Sequence, residues 1–219
     1  MKTLNIYGPG GPYRPMSECA EQFESMTAIR VVVTKGTPQQ WIERAKIDAD
    51  MIYGGAEYML DDFIAEYPGI VAPAEVHNLH ARAVGVIVKK GNPMNIRCLY
   101  DLGLKGVNIL NVELEKMEEL QNRISGIRKN IKYLVLTGEE GAERWLSEPS
   151  PDAWITYESW HVQLKDRSEF VRLSGKDALS RWTTIGITKT SPQREIGSEF
   201  LSFLKSGQGH TIFRRWGWQ

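Results

Sequence analysis

The sequence predicts an α/β chain made of two strand–helix units in series. Three observations carry that reading. Short β-branched or apolar runs alternate with segments of helical periodicity in both halves, and glycine and proline clusters fall where the strands stop. Between the halves there is neither a Pro/Gly linker nor a low-complexity tract. Strand, helix and strand in repetition imply parallel sheets with crossover helices, and two such units without a linker imply two lobes joined by strands.

Leu4–Tyr7 is a short apolar strand that stops at Gly8-Pro9-Gly10-Gly11-Pro12. Met16, Cys19, Ala20, Phe23 and Met26 then recur at helical spacing, and Ile29–Val33 is the next strand. Thr37-Pro38-Gln39-Gln40 opens a helix through Trp41, Ile42 and Ala45; Thr at the cap, Pro at the first position and Gln three after the cap make a capping box. A buried-type strand at Ala49–Tyr53 ends at Gly54-Gly55, and a helix over Glu57–Tyr67 stops at Pro68-Gly69.

Ala83–Lys89 is expected to be a strand closed by Lys90-Gly91-Asn92-Pro93, with a helical turn at Leu99–Leu104. The second alternation follows: strand Val107–Val112, helix Glu115–Ser125, strand Tyr133–Leu136, helix Gly141–Ser147, breaker Ser147-Glu148-Pro149-Ser150-Pro151 and strand Ala153–Tyr157. Strands at Phe170–Leu173 and Thr183–Thr188 and helices at Glu195–Lys205 and Gln208–Trp216 complete the chain, with Trp216 and Trp218 packing the last helix.

Composition narrows the function classes. Lys+Arg and Asp+Glu are 27 each among 219 residues, so no global field attracts nucleic acid or an anionic membrane, and anion recognition has to be local. Apolar runs such as Ala83–Val88 fall far short of the roughly 20 residues that a membrane span needs. The N-terminus enters a strand at once and lacks the apolar stretch of a secretory leader, which leaves a cytoplasmic protein or a removed leader. Cys19 and Cys98 are far apart and lack metal-type spacing; Cys19 belongs to an apolar helical stripe.

Three features are candidates for chemistry. The Gly8–Pro12 turn lets the backbone curl ahead of a helix whose unpaired N–H groups can bind an anion, although a breaker-rich turn is equally consistent with it. It is not a dinucleotide fingerprint, since the third glycine is missing. Thr37, beside Gln39, Gln40 and Trp41, caps a helix at the carboxyl end of a strand, where open α/β folds bind ligands; both helix starts should share one sheet edge. Ala153-Trp154-Ile155-Thr156-Tyr157-Glu158-Ser159-Trp160 ends an apolar strand in a Tyr hydroxyl that can donate to an oxyanion, or whose ring can simply cap the core.

Weaker candidates surround these. His77 and His80 lie in a loop-like segment, His161 and His210 are solitary, and no cluster has metal spacing, so neither metal nor cofactor is expected. Asp61-Asp62 and Glu139-Glu140 read as solvated helix faces. Arg14 near the first loop reads as a surface residue able to complement an anion, and Arg144, Arg172 and Arg181 are unassigned cations. No nucleophile elbow or Walker loop is present.

Read in order, the segments resemble the periplasmic solute-binding proteins of type 2 topology, the molybdate-binding-protein-like branch, and within it the accessory colonization factor C type. The resemblance rests on Leu4-Asn5-Ile6-Tyr7-Gly8-Pro9-Gly10-Gly11-Pro12, Thr37-Pro38-Gln39-Gln40-Trp41 and Ala49-Asp50-Met51-Ile52-Tyr53-Gly54-Gly55-Ala56-Glu57. It continues through Val86-Ile87-Val88-Lys89-Lys90-Gly91-Asn92-Pro93, Leu99-Tyr100-Asp101-Leu102 and Trp154-Ile155-Thr156-Tyr157, then Ile185-Gly186-Ile187-Thr188 and the C-terminal helices.

The resemblance implies a two-lobed Venus-flytrap, each lobe a mixed, mostly parallel sheet flanked by helices. Residues 1–82 with 184–219 would form one lobe and 83–183 the other, with hinge strands near 81–84 and 182–185. It implies a monomeric, non-enzymatic periplasmic protein, its signal peptide removed, that takes a small anionic solute in the cleft. The loaded form would dock on the membrane permease of an ABC transporter. Carried over residue by residue, the first anion loop falls on Gly10 and Gly11, the second on Thr37 with Gln39, Gln40 and Trp41 beside it, and the hydroxyl of the other lobe on Tyr157. Gly-Pro-Gly-Gly in place of small hydroxyl residues, with acidic Glu113, Glu115, Glu139 and Glu140 in the middle lobe, argues for an organic acid or other small polar solute over molybdate or tungstate. Two other classes share the topology: the effector domain of a LysR-type regulator, which needs a preceding DNA-binding domain, and an enzyme, which needs convergent catalytic groups.

Overall fold

The first strand, β1 (Thr3–Gly8), sends Leu4 and Ile6 into one apolar cluster and Tyr7 into another, so both of its faces are covered. The computed structural model describes residues 2–147, 149 and 151–219; Met1, and Glu148 and Ser150 of the expected breaker, lie outside the described residues. Contacts divide the chain into Met1–Ala81 with Arg181–Gln219, the first unit, and Arg82–Ser180, the second.

The first unit continues with α1 (Tyr13–Thr27), β2 (Arg30–Lys35), α2 (Pro38–Asp48), β3 (Met51–Gly54) and α3 (Glu57–Glu66). The long β4 (Val71–Lys89) carries the chain into the second unit. There follow β5 (Ile109–Val112), α4 (Glu118–Gln121), α5 (Ile127–Asn130), β6 (Ile131–Val135), α6 (Gly138–Ser147), β7 (Ala153–Tyr157), α7 (Glu158–Gln163) and β8 (Ser168–Arg172). β9 (Ser180–Thr188) leads back to the first unit, which α8 (Arg194–Lys205) and α9 (Gly207–Arg215) complete.

In the first unit β1 pairs in parallel with β2 and β3, and β3 pairs antiparallel with β9. Leu4, Ile6, Met51 and Tyr53 join Met16, Cys19, Phe23, Phe200 and Phe213 on one face. Tyr7 and Ile52 join Trp41, Ile42, Leu60 and Phe63 on the other. The second unit has one cluster around Val86, Ile87, Ile109, Leu110, Trp145 and Trp154, with β5 parallel to β6 and β7, and β4 antiparallel to β7 and β8. Both units are mixed α/β sheets flanked by helices. Cys19 is buried and free, and Cys98 is exposed and free.

Four local expectations are corrected. The strand expected from Ala83 starts at Val71, so His77 and His80 lie on β4 and not in a loop. The helix expected over Glu115–Ser125 is broken into a 3-10 turn at Glu113–Glu115 and two single-turn helices, because Glu115 is held inside the unit and Lys116 takes a left-handed φ of 48°. α6 begins three residues early: the Glu140 carboxylate accepts from Leu136 N at 2.9 Å while Glu140 N donates to Thr137 Oγ1 at 3.2 Å, a capping box. α7 follows β7 directly, where only a strand end was expected.

Asp50 ties the first unit together. Its carboxylate is 3% exposed and accepts from Asn5 N at 2.8 Å and from the Ser191 hydroxyl at 2.6 Å. Asp50 N donates to Asn5 O and Thr188 N donates to Asp50 O, both at 2.9 Å, so one residue joins β1, β3 and the end of β9. Asp50→Ala orphans two buried donors, and urea denaturation should show a loss of about 3 kcal/mol; a loss below about 1 kcal/mol would contradict this role.

Candidate functional site

In the first unit, parallel pairing in the register Gly8↔Lys35 and Tyr7↔Ile52 sets the loops after β1, β2 and β3 side by side on one sheet edge. The first two loops are also joined directly, Gly36 N donating to Gly8 O at 3.0 Å. Gly8 is there because β3 comes too close for anything larger: a Cβ on it would lie 2.5 Å from the Tyr53 carbonyl oxygen and 2.6 Å from the Tyr53 ring. The Tyr53 hydroxyl donates to Pro9 O at 3.1 Å and fixes the next residue of the turn.

Gly10 and Gly11 are half-buried just ahead of α1, and Tyr13 N donates back to Gly10 O at 3.1 Å. Thr37 caps α2 in the expected capping box, with Gln40 Oε1 accepting from Thr37 N at 2.8 Å. Gly36 has a φ of +148°, in the glycine region, and the Trp41 indole N–H donates to its carbonyl at 3.0 Å. Trp41 is buried between Tyr7 and Phe63, at ring centroid distances of 5.6 and 5.5 Å. Gln40 and Trp41 therefore hold the loop; Gln39 is exposed, as is Gln40.

Neither α1 nor α2 carries an acidic residue in its first turn, so their partial positive ends are not neutralised from within. α3 differs: Glu57 stands in its first turn and accepts from Trp182 N at 2.9 Å. Arg14, read from the sequence as a surface residue able to complement an anion, is exposed and lies over the Trp216 ring at 5.6 Å. Behind α2, burial and the hydrogen bond to Asp48 (2.6 Å) raise the Tyr7 phenol to about 12, so it stays a neutral donor.

In the second unit Tyr157 ends β7, fully buried, and its ring supports the Arg82 guanidinium 3.5 Å from the centroid. Arg82 is 2% exposed and reaches the Ser159 hydroxyl over a long 3.5 Å. Beside it, Glu115 accepts from the Thr156 hydroxyl at 2.7 Å and from the Trp160 indole N–H at 2.8 Å, one bond on each oxygen. Burial pushes this carboxyl up to about 7, against the opposing pull of the Thr156 bond, the Arg82 charge and the Trp160 bond.

The other acidic residues of this unit are accounted for: Glu113 is exposed and Glu140 closes the cap of α6. Gly138 and Gly141 make room for indoles, since a Cβ on them would lie 2.5 Å from Trp160 and 2.9 Å from Trp154. Of the unassigned cations, Arg172 pairs with Glu158, and Arg144 and Arg181 lie over Tyr133 and Tyr58. Among the described residues no group of three or more His, Cys, Asp or Glu is placed to hold a metal ion, and no helix is long and apolar enough to cross a membrane.

Sequence reasoning missed Arg82 and the burial of Glu115. A lone charge in His80-Ala81-Arg82-Ala83-Val84, inside an otherwise apolar run, was the available signal for the first. Glu115 reads from the sequence as an acidic residue of the middle lobe, but its burial gave no signal, because Glu-Lys-Met-Glu-Glu reads as an exposed helix.

Known structures share this fold. PEB3 with L-phospholactate bound is 25% identical, with 99% of each chain covered and a TM-score of 0.84. Peb3 from Campylobacter jejuni is 24% identical over 99% of each chain, with a TM-score of 0.83. The periplasmic molybdate-binding protein of Azotobacter vinelandii is 12% identical, with 99% of this chain and 98% of that one covered and a TM-score of 0.73. Among curated proteins none is matched by sequence. The profile of one family, described as bacterial extracellular solute-binding protein, matches residues 4–219, and the chain belongs to that family.

Proposed function

We propose that this solute-binding protein captures a small anion, an oxyanion or an organic acid, outside the cytoplasm and delivers it to an ABC-type importer. The observation that carries the reading is the pair of joined loops in the first unit. They present the starts of α1 and α2 together, free of acidic residues, as an anion would require. The bound L-phospholactate of PEB3, itself an organic acid with a phosphate, supports the same class of ligand.

Each unit is assigned its own contribution. In the first, Gly10, Gly11, Thr37 and Gln39 face the solute, and Gln40 and Trp41 position them. In the second, Tyr157 is the contributing residue, with the Arg82 charge against its ring. The protein acts as a periplasmic monomer after removal of its leader, and no catalytic step belongs to this reading.

A thermal-shift panel of oxyanions, phosphonates, sulfonates and carboxylates tests it. A cognate anion at a hundredfold excess over its Kd should add about 2.7 kcal/mol of stability. A panel in which nothing raises Tm would sink the reading. With a positive anion in hand, Thr37→Ala and Tyr157→Phe should each weaken binding, measured calorimetrically on folded protein, by about 1.5–3 kcal/mol. Unchanged affinity in both variants would place the site elsewhere.

A further inference from the structure

The second unit buries the carboxyl group of Glu115, 4% exposed, among hydrogen-bond partners that suit either protonation state. Trp160 Nε1 is a donor only and always requires an acceptor, which Glu115 Oε1 supplies whether or not the group is ionised. The second oxygen meets the Thr156 hydroxyl at 2.7 Å, and a hydroxyl can donate to a carboxylate or turn and accept from a carboxylic acid. Each carboxyl oxygen therefore keeps a hydrogen-bond partner in either protonation state.

The surroundings of Glu115 make that proton consequential. From β4 the charge of Arg82 acts on it; β7 turns Thr156 and Trp154 toward it, and α7 turns Trp160. On its own segment Glu113 and Lys116 are both exposed to solvent. Arg82 and Glu115 thus dominate the buried charge near the carboxyl end of β7, where Tyr157 and Ser159 also lie. With Glu115 ionised the pair sums to zero; with Glu115 neutral it leaves one positive charge.

We infer that Glu115 determines which anions the second unit tolerates: binding of an anion is coupled to proton uptake at Glu115, and the coupling grows with the negative charge of the anion. The inference rests on the anion-binding reading above. Coulomb attraction scales with the ligand's charge, so a dianion is penalised twice as much as a monoanion by an ionised Glu115. Burial that holds the free carboxyl near neutrality places the transition within an accessible pH range. Affinity rises as the pH falls through that range, because the protonated state is the one that the anion favours.

The test is calorimetric titration of wild type and Glu115→Gln with sulfate and molybdate as dianions, and with acetate and L-lactate as monoanions, at pH 6 and pH 8. Wild type should bind the dianions about tenfold more tightly at pH 6, the ceiling that one proton titrating near neutrality allows, and monoanions with a smaller difference. Glu115→Gln should bind equally at both pH values, at the level of wild type at pH 6. Should the variant fail to fold, wild type alone decides: titrations near pH 7 in two buffers of different ionisation enthalpy should show net proton uptake. A pH-independent wild type that binds these anions overturns the role of Glu115 and leaves the anion reading standing, as does an equal pH dependence in wild type and variant. If none of the four anions binds at either pH and none of the wider thermal-shift panel raises Tm, the anion reading fails and this inference falls with it.

Discussion

Between β1 and β3 there is no room at Gly8 for a side chain, because the Tyr53 ring and carbonyl occupy the place where a Cβ would stand. Much of the first unit's edge follows from that close approach. It brings the Tyr53 hydroxyl within reach of Pro9 O, and it leaves Gly8 O exposed to the amide of Gly36, so two loops that are distant in sequence are locked into one surface. Gln40 and Trp41 complete the lock from inside α2. The candidate anion surface is therefore made of backbone held by side chains beneath it, which suits ligands recognised through N–H groups.

The second unit works by different means. It places a guanidinium and a carboxyl in surroundings where each alone would be costly, and offsets the cost with an aromatic face and a few well-placed hydrogen-bond partners. In such surroundings low local polarity magnifies every change in ionisation.

What the sequence revealed depended on whether local chemistry or tertiary context decided the outcome. The alternation of β1, α1, β2, α2, β3 and α3 was legible because each strand has a short apolar or β-branched run and their ends carry Gly8–Pro12, Gly36-Thr37 and Gly54-Gly55. The capping box of α2 was legible because it is a contact between residues three apart. The first half of β4 was not: Pro73, Glu75, His77 and Asn78 show no alternation, and their extended form is set by neighbouring chain. The break in the helix expected after Glu115 was equally hidden, since its cause lies on β7 and α7, some forty residues later. On the candidate site, the loops could be read from glycines and a cap, whereas Arg82 offered only the signal of a lone charge within an apolar strand.

The first unit's apolar cluster draws on both ends of the chain: Leu4, Met16 and Phe23 from one, and Phe200, Phe213 and Trp218 from the other. During vectorial synthesis the earlier residues emerge with that face uncovered, and roughly a hundred residues of the second unit follow before the rest arrives. At about 5–20 residues per second the delay is on the order of 5–20 s. Over that interval α1 and the β1–β3 edge present a partnerless apolar surface while the second unit, continuous in sequence, can already fold. The discontinuous unit thus closes its core only once both ends of the chain are available, whereas the second is continuous in sequence.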